Sequence, residues 1–222
     1  MEIINKLISI NPMSRPNKKL KGVKGIVIHY VGNPSSTAIA NRNYFENLKN
    51  QSKVYASAHY IIGLGGEIIR CIPEDEMAYH VGAKEYKTTK LGTYPNDCTI
   101  GIECCHLDDK GTMTAATYES LKQLTKDLCS RYKLDPIKAV YIHKDVTGKH
   151  CHAYFVNNPA AWKEFKESLK APTLDPQHVA NVKVLHEAGL IGQPEAWYQL
   201  DKVHVDNVKA LIKKMAQYTK RK

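Results

Sequence analysis

The chain contains no apolar run long enough to cross a bilayer or to form a secretory signal. Its first residues, Met1 to Leu7, include a glutamate and a lysine, whereas a signal peptide needs an apolar stretch of about 7 to 15 residues. A membrane span needs about 20 such residues. We therefore expect no membrane insertion, and we expect synthesis in the cytoplasm without a signal peptide.

Paired cysteines are also missing. The six cysteines, at positions 71, 98, 104, 105, 129 and 151, show no spacing that would indicate a disulfide framework. In a reducing compartment we expect most of them to be free thiols, and the first five to behave as small buried apolar residues. Cys151 lies in a polar segment and needs another explanation.

Two functional classes lack their sequence signatures. No His-Glu-x-x-His segment is present, which argues against a metalloprotease of that kind. The net charge is +10, from 32 basic and 22 acidic residues, and such a charge favours polyanions, including nucleic acid and anionic cell-wall polymers. However, the lysines neither gather on one helix face nor alternate with aromatic residues, so we expect no nucleic-acid binding.

The apolar patterns predict a mixed α/β domain, with a central β-sheet flanked by helices, and a small helical module after it. We predict strands at 24–30, 98–105 and 139–143, a hairpin with glycines in its turn at 56–72, and an N-terminal arm at 1–22. Helices are predicted around 38–48, 114–132 and 159–169, and then from Asp175 onward and around 208–215. Ala171–Thr173 marks the boundary, which gives a main domain at 1–171 and a helical module at 172–222.

The polar segment from Ile142 to His152 concentrates side chains that bind metals. It holds three histidines, one cysteine, one aspartate and two lysines. We interpret it as a loop that leaves a strand at His143 and returns with Cys151, so that both side chains bind one ion. Zinc is the natural occupant, because it accepts imidazole and thiolate together and needs no redox partner.

Two ligands hold an ion poorly, so the site needs a third. We choose His29, because it lies at the end of the first buried strand, where side chains from neighbouring strands converge. An isolated histidine is more often a surface residue or a hydrogen-bonded core residue, and His29 is chosen for its place in the whole pattern.

Five segments carry a family resemblance. They are Gly25–Tyr30, Ala58–Ile62, Ala78–Gly82, Ile100–Glu103 and His143–Cys151. In this order they resemble the zinc-dependent N-acetylmuramoyl-L-alanine amidases of the amidase-2 group. This group includes many bacteriophage endolysins and shares its fold with peptidoglycan recognition proteins. The resemblance covers roughly residues 20 to 170.

The resemblance implies one zinc ion per chain, bound by His29, His143 and Cys151, with water or the scissile carbonyl oxygen at the fourth position. It implies that Glu103 acts as general base on that water and then as acid to the leaving amine, and that Lys149 stabilises the oxyanion. A carboxylate in an apolar strand is costly unless it is paired, so catalysis is also the more economical explanation of Glu103 than a structural salt bridge.

The chain departs from the family pattern at two places. Some relatives have a catalytic tyrosine where this chain has Ala58, which leaves more of the proton transfer to Glu103. Proline commonly follows the cysteine ligand, but here His152 follows it and His150 precedes it, so either imidazole is an alternative zinc ligand to Cys151. We expect the thiolate to prevail.

The resemblance also implies a function. His80 would line the substrate groove, and the protein would cleave the amide between N-acetylmuramic acid and the L-alanine of the peptidoglycan stem peptide. A phage endolysin would reach the wall after release from the cytoplasm, and residues 172–222 would bind the wall or form a homo-oligomer. The alternative is a peptidoglycan-binding protein of the same fold without catalysis, although such proteins usually lack the cysteine ligand.

Overall fold

A six-stranded sheet organises the larger part of this computed structural model, which describes residues 1–170, 176–197 and 205–219. Residues 1–170 form one unit and residues 171–222 a second. The boundary predicted at Ala171–Thr173 lies outside the described residues, and so does Asp175, the predicted start of the next helix.

The sheet is mixed, as the sequence predicts. Its strands are β1 (Ile3–Asn5), β2 (Gly25–Tyr30), β3 (Tyr60–Ile62), β4 (Ile68–Arg70), β5 (Thr99–Cys104) and β6 (Val140–Ile142). Their order is β1-β4-β3-β5-β2-β6, and neighbours run parallel except in the β3–β4 hairpin. β2 lies between β5 and β6, and its alternate residues Val27 and Ile28 are buried in different core clusters. Both faces of β2 are therefore covered, which explains its nearly continuous apolar sequence.

Helices cover both faces of the sheet. They are α1 (Ala38–Asn47), α2 (Ala115–Arg131), α3 (Pro136–Ala139), α4 (His143–Thr147), α5 (Ala153–Asn157) and α6 (Pro159–Ser168). Leu124 of α2 and Phe165 of α6 share a core cluster with Ile28 of β2, whereas Phe45 of α1 packs with Ile61 of β3 on the opposite face. Since side chains alternate along a strand, the polar residues of β2 and β5 point to the α1 face.

The short helices α3 and α5 were not predicted, and two further elements differ from the sequence-based predictions. Within the predicted arm, Ile3–Asn5 pairs in parallel with β4 and forms the edge of the sheet. The segment from His143 was predicted as a loop, but it begins with the one-turn helix α4. This helix is capped at its C-terminal end by Gly148, where φ is +88°. Asp145 stabilises this turn by accepting the backbone N–H of Ile142 at 3.0 Å. Five residues are too few for an apolar period to reveal a helix.

The second unit is helical. It contains α7 (Pro176–Glu187), a short 3-10 helix (Pro194–Trp197) and α8 (Val205–Thr219). Val182 and Ile191 are buried. In the described parts of the chain, no helix has both the length and the apolar character that a bilayer-crossing segment requires.

A partly buried carboxylate links the segment after β4 to α2. Glu74 accepts hydrogen bonds from the Arg131 guanidinium at 2.6 and 2.8 Å and from the hydroxyls of Tyr60 and Tyr132. Burial alone would raise the pKa of Glu74, but these partners together lower it to about 2. The ionised form is therefore the one that the fold stabilises.

We predict that Glu74→Gln destabilises the larger unit by about 2 kcal/mol, because glutamine keeps the shape but removes the charge that Arg131 pairs with. Urea unfolding at pH 7 measures this loss. The folded-state pKa is depressed, so the difference from wild type shrinks as the pH falls from about 4.5 toward about 2.

Glu167→Gln is the matched control, because Glu167 forms an exposed ion pair with Lys170. Such a pair contributes less than about 0.5 kcal/mol. Equal destabilisation by the two substitutions would contradict a special role for Glu74.

Candidate active site

The three side chains predicted to bind a metal converge on the α1 face of the sheet. His29 lies in β2, His143 follows β6 directly, and Cys151 comes after the α4 turn. β2 and β6 are parallel neighbours, so their carboxyl ends bring the two histidines side by side. All three side chains are buried.

Their donor atoms are close enough to share one ion. His29 Nδ1 lies 3.0 Å from His143 Nδ1 and 3.9 Å from Cys151 Sγ, and the three donor atoms lie within 4.8 Å of one another. Around a tetrahedral zinc ion, two ligand nitrogens lie about 3.3 Å apart, and a nitrogen and a sulfur about 3.6 Å apart. The spacing therefore fits a single tetrahedral ion.

The surroundings also suit a cation. Burial lowers the pKa of His29 well below its usual value and, with a smaller contribution from Lys149, lowers that of His143 to about 4, so both rings are neutral at pH 7. Burial raises the pKa of the Cys151 thiol to about 12, so its thiolate needs a cation beside it. Two neutral imidazoles and one thiol fit a divalent ion that accepts nitrogen and sulfur.

The two alternative ligands next to Cys151 lie elsewhere. The His150 ring is hydrogen-bonded to Asn157 Oδ1 at 2.9 Å on the surface. His152 is fully buried with its ring against Phe155, at 5.2 Å between ring centroids. Neither belongs to the group of donor atoms around His29.

Glu103 lies beside the metal-binding group. In the sheet register it is the partner of His29 on the neighbouring strand. Its Oε2 atom is buried and has no hydrogen-bond partner among the described residues. Burial raises the pKa of Glu103 to about 8, and the positive charge of Lys149 opposes this rise. Burial thus favours the protonated form of this carboxyl group more than in an exposed glutamate.

Two cavities, of about 470 and 250 Å³, adjoin this group. Both are lined by Tyr30, Phe45, Ala56, Glu103, Lys149 and Cys151. The smaller one also reaches His29, His143 and His80. Ala58, which replaces the tyrosine of some relatives, is fully buried.

His80 lines the smaller cavity, but both of its ring nitrogens have partners inside the protein. Nδ1 lies 3.0 Å from His29 Nε2, and Nε2 lies 3.1 Å from Thr99 Oγ1. Its contact with substrate stays a prediction. The sequence did not reveal Thr99 as the partner of His80. Gly101 was a signal that another group lies against β5 at this point, since a glycine inside a strand indicates the close approach of a neighbouring group. A Cβ atom at Gly101 would lie 2.5 Å from His80 Cγ.

Comparison with known proteins gives close relatives. Residues 18–154 match the amidase-2 family, described as N-acetylmuramoyl-L-alanine amidase. The N-acetylmuramoyl-L-alanine amidase BlyA of Bacillus subtilis (strain 168) is 35% identical over 176 residues, which are 75% of this chain and 46% of BlyA. The N-acetylmuramoyl-L-alanine amidase CwlL of Bacillus licheniformis is 34% identical over 171 residues, which are 76% of this chain and 47% of CwlL. The chain thus spans about half the length of these curated relatives.

Solved structures share the fold. A mutant endolysin from Bacillus subtilis aligns with a TM-score of 0.61 and 25% identity, covering 77% of this chain and 99% of that one. The PlyG catalytic domain aligns with a TM-score of 0.62 and 22% identity, covering 79% and 99%. The family match extends over more than half of the chain and includes His29, Glu103, His143 and Cys151. The chain belongs to the amidase-2 family.

Proposed function

We propose that the protein is a zinc-dependent N-acetylmuramoyl-L-alanine amidase. It hydrolyses the amide bond between N-acetylmuramic acid and the L-alanine of the stem peptide. The observation that carries this proposal is the convergence of two histidines and a cysteine with Glu103 and Lys149 on one cavity. Membership of the amidase-2 family and the names of the relatives support it.

His29, His143 and Cys151 would hold the zinc ion, since they are the buried nitrogen and sulfur donors that converge. When bound, zinc supplies a Lewis acid that polarises the scissile carbonyl and lowers the pKa of the attacking water. The thiol of Cys151 releases its proton when it becomes a ligand. A ligand set of this composition carries one negative charge, so the site stays electrophilic.

Glu103 moves the proton. It accepts a proton from the attacking water as the carbon–oxygen bond forms, and it returns this proton to the nitrogen as the carbon–nitrogen bond breaks. The products are a carboxyl group on the lactyl ether and a free L-alanine amine. Burial raises the pKa of Glu103, which suits donation of the proton to the leaving nitrogen, and the charge of Lys149 opposes this rise, which suits acceptance of the proton from water. Ala58 offers no acid at the position of the tyrosine in some relatives.

Lys149 stabilises the oxyanion. Its side chain lines both cavities together with Glu103, and its charge acts on Glu103 and on His143. An ammonium group next to the carbonyl oxygen lowers the free energy of the tetrahedral transition state, because negative charge develops on that oxygen. Such a donor typically contributes about 3 kcal/mol to the barrier reduction.

We further propose that the protein acts as a phage-type endolysin, which is made in the host cytoplasm and reaches the cell wall after release. The shared fold of the Bacillus subtilis endolysin supports this role. The net charge of +10 would favour binding to anionic wall polymers. Residues 172–222 would then bind the wall or join two copies of the chain.

Mass analysis of fragments released from purified cell walls tests the activity. We expect new free L-alanine amino termini and intact glycan strands. A protein that sediments with the wall but releases no amino termini would instead be the non-catalytic peptidoglycan-binding protein of the same fold. Cleavage within the glycan or between other stem residues would contradict the proposed bond.

We predict that Glu103→Gln leaves one zinc ion per chain but lowers wall hydrolysis by at least about 100-fold, because the amide cannot accept the proton from water. Metal analysis and the release of amino termini measure the two quantities. Glu67→Gln, in the β3–β4 turn, is the control and keeps full activity. A Glu103→Gln protein with wild-type activity would remove Glu103 from the mechanism.

We predict that Cys151→Ser loses both zinc and activity, because a hydroxyl group releases its proton to a metal far less readily than a thiol. His150→Ala is the matched control and retains both, since the His150 ring is hydrogen-bonded to Asn157 on the surface. The opposite pattern, with zinc retained in Cys151→Ser and lost in His150→Ala, would make His150 the ligand.

A further inference from the structure

We propose that His80 and Thr99 form a hydrogen-bond relay that positions His29 and determines which of its ring nitrogens faces the metal. This inference rests on the metal-binding role proposed above. It adds that two residues outside the ligand set control the affinity of the site for zinc. The relay runs through buried atoms of β2, of the segment around residue 80 and of β5.

The direction of the relay follows from one carbonyl group. Pro95 O lies 2.7 Å from Thr99 Oγ1, and a carbonyl oxygen only accepts, so the threonine hydroxyl donates its proton there. The same Oγ1 atom, 3.1 Å from His80 Nε2, must then accept from the N–H of that nitrogen. The His80 ring is buried, and its ring nitrogens contact an imidazole and a hydroxyl rather than a carboxylate that would pair with an imidazolium. The neutral ring is therefore the favoured form, and its Nδ1 carries a lone pair.

The last link reaches the candidate metal ligand. His29 Nε2 lies 3.0 Å from His80 Nδ1, and an unprotonated Nδ1 requires that His29 Nε2 carries the proton. The lone pair of His29 is therefore on Nδ1, the atom that lies 3.0 Å from His143 Nδ1 and 3.9 Å from Cys151 Sγ. The relay thus selects the tautomer that the metal site needs.

The surrounding backbone holds His80 in this place. Asn96 is fully buried, and its Oδ1 accepts the backbone N–H groups of His80 at 3.1 Å and of Val81 at 3.0 Å. Gly101 leaves the space that the ring occupies, because a Cβ atom there would lie 2.5 Å from His80 Cγ. Thr99 and Gly101 lie on the same face of β5. The hydrogen bonds to the backbone and the space above Gly101 together fix the position of the His80 ring.

A hydrogen bond to the second nitrogen of a metal-binding histidine fixes the ring orientation and raises its basicity, and its removal typically weakens metal binding about 10- to 100-fold. We therefore expect His80→Leu to raise the zinc dissociation constant by about 10- to 100-fold. His80→Asn recovers most of the affinity, because its Oδ1 atom replaces Nδ1 as the acceptor. Competition with a chromophoric zinc chelator, without any substrate, measures the constant.

Thr99 provides a second pair of variants farther from the metal. Thr99→Val removes the acceptor of the His80 N–H with almost no change in shape, and Thr99→Ser retains it. We expect zinc binding to weaken in the valine variant and to be unchanged in the serine variant. Thermal unfolding of the metal-free proteins serves as the folding control, since a purely structural role would lower the unfolding temperature without changing the dissociation constant.

Long-range ¹H–¹⁵N spectra of the zinc-loaded protein report the tautomers directly. We expect a protonated Nε2 on His29 and an unprotonated Nδ1 on His80. Wild-type zinc affinity in both His80→Leu and Thr99→Val, or the opposite tautomers, would overturn the relay while leaving the amidase proposal intact. If His80→Leu does not fold, the Thr99 pair alone decides. A wild-type protein that binds no zinc would overturn the proposed function and the relay together.

Discussion

The candidate site depends on burial, which favours the neutral forms of its titratable groups. Burial raises the pKa of Cys151 to about 12 and that of Glu103 to about 8, and it lowers the pKa of His143 to about 4. Without a cation, the pocket therefore favours the neutral form of each of these groups. A divalent ion reverses this preference for the thiol and for the carboxyl group, because its charge is the largest local field. In the proposed mechanism, metal binding and the ionisation of Glu103 would thus be one electrostatic event.

One face of β5 supports both parts of this event. Its alternate residues Thr99, Gly101 and Glu103 point to the same side of the sheet, next to β2. The first accepts the hydrogen bond of His80, the second leaves room for the His80 ring, and the third provides the carboxyl group beside His29. Ile100 and Ile102 on one face of β5 belong to the hydrophobic core, whereas the opposite face lies next to the candidate site.

Local patterns predicted most strands of the sheet and the three side chains that converge around His29, but not the contacts between distant segments. The strand ending near His29 and the polar segment with Cys151 were readable because composition changes sharply there. The pairing of Ile3–Asn5 with β4 and the one-turn α4 were not, since three and five residues carry too short a pattern. The hydrogen bond between His80 and Thr99 depends on how the segment around residue 80 packs against β5, and the local sequence of neither segment predicts this packing.

The positive charge of Lys149 changes the pKa values of three neighbouring groups in the candidate site. Burial is the main influence on its neighbours, and it raises the pKa of Glu103 while it lowers that of His143. The ammonium charge opposes the first shift and adds to the second. It also lowers the pKa of Cys151, against the larger effect of burial. In each case it favours the form that the proposed reaction uses: a carboxylate base, a neutral imidazole and a thiolate. In the proposed mechanism, Lys149 would therefore favour the reactive forms of Glu103, His143 and Cys151 in addition to stabilising the oxyanion.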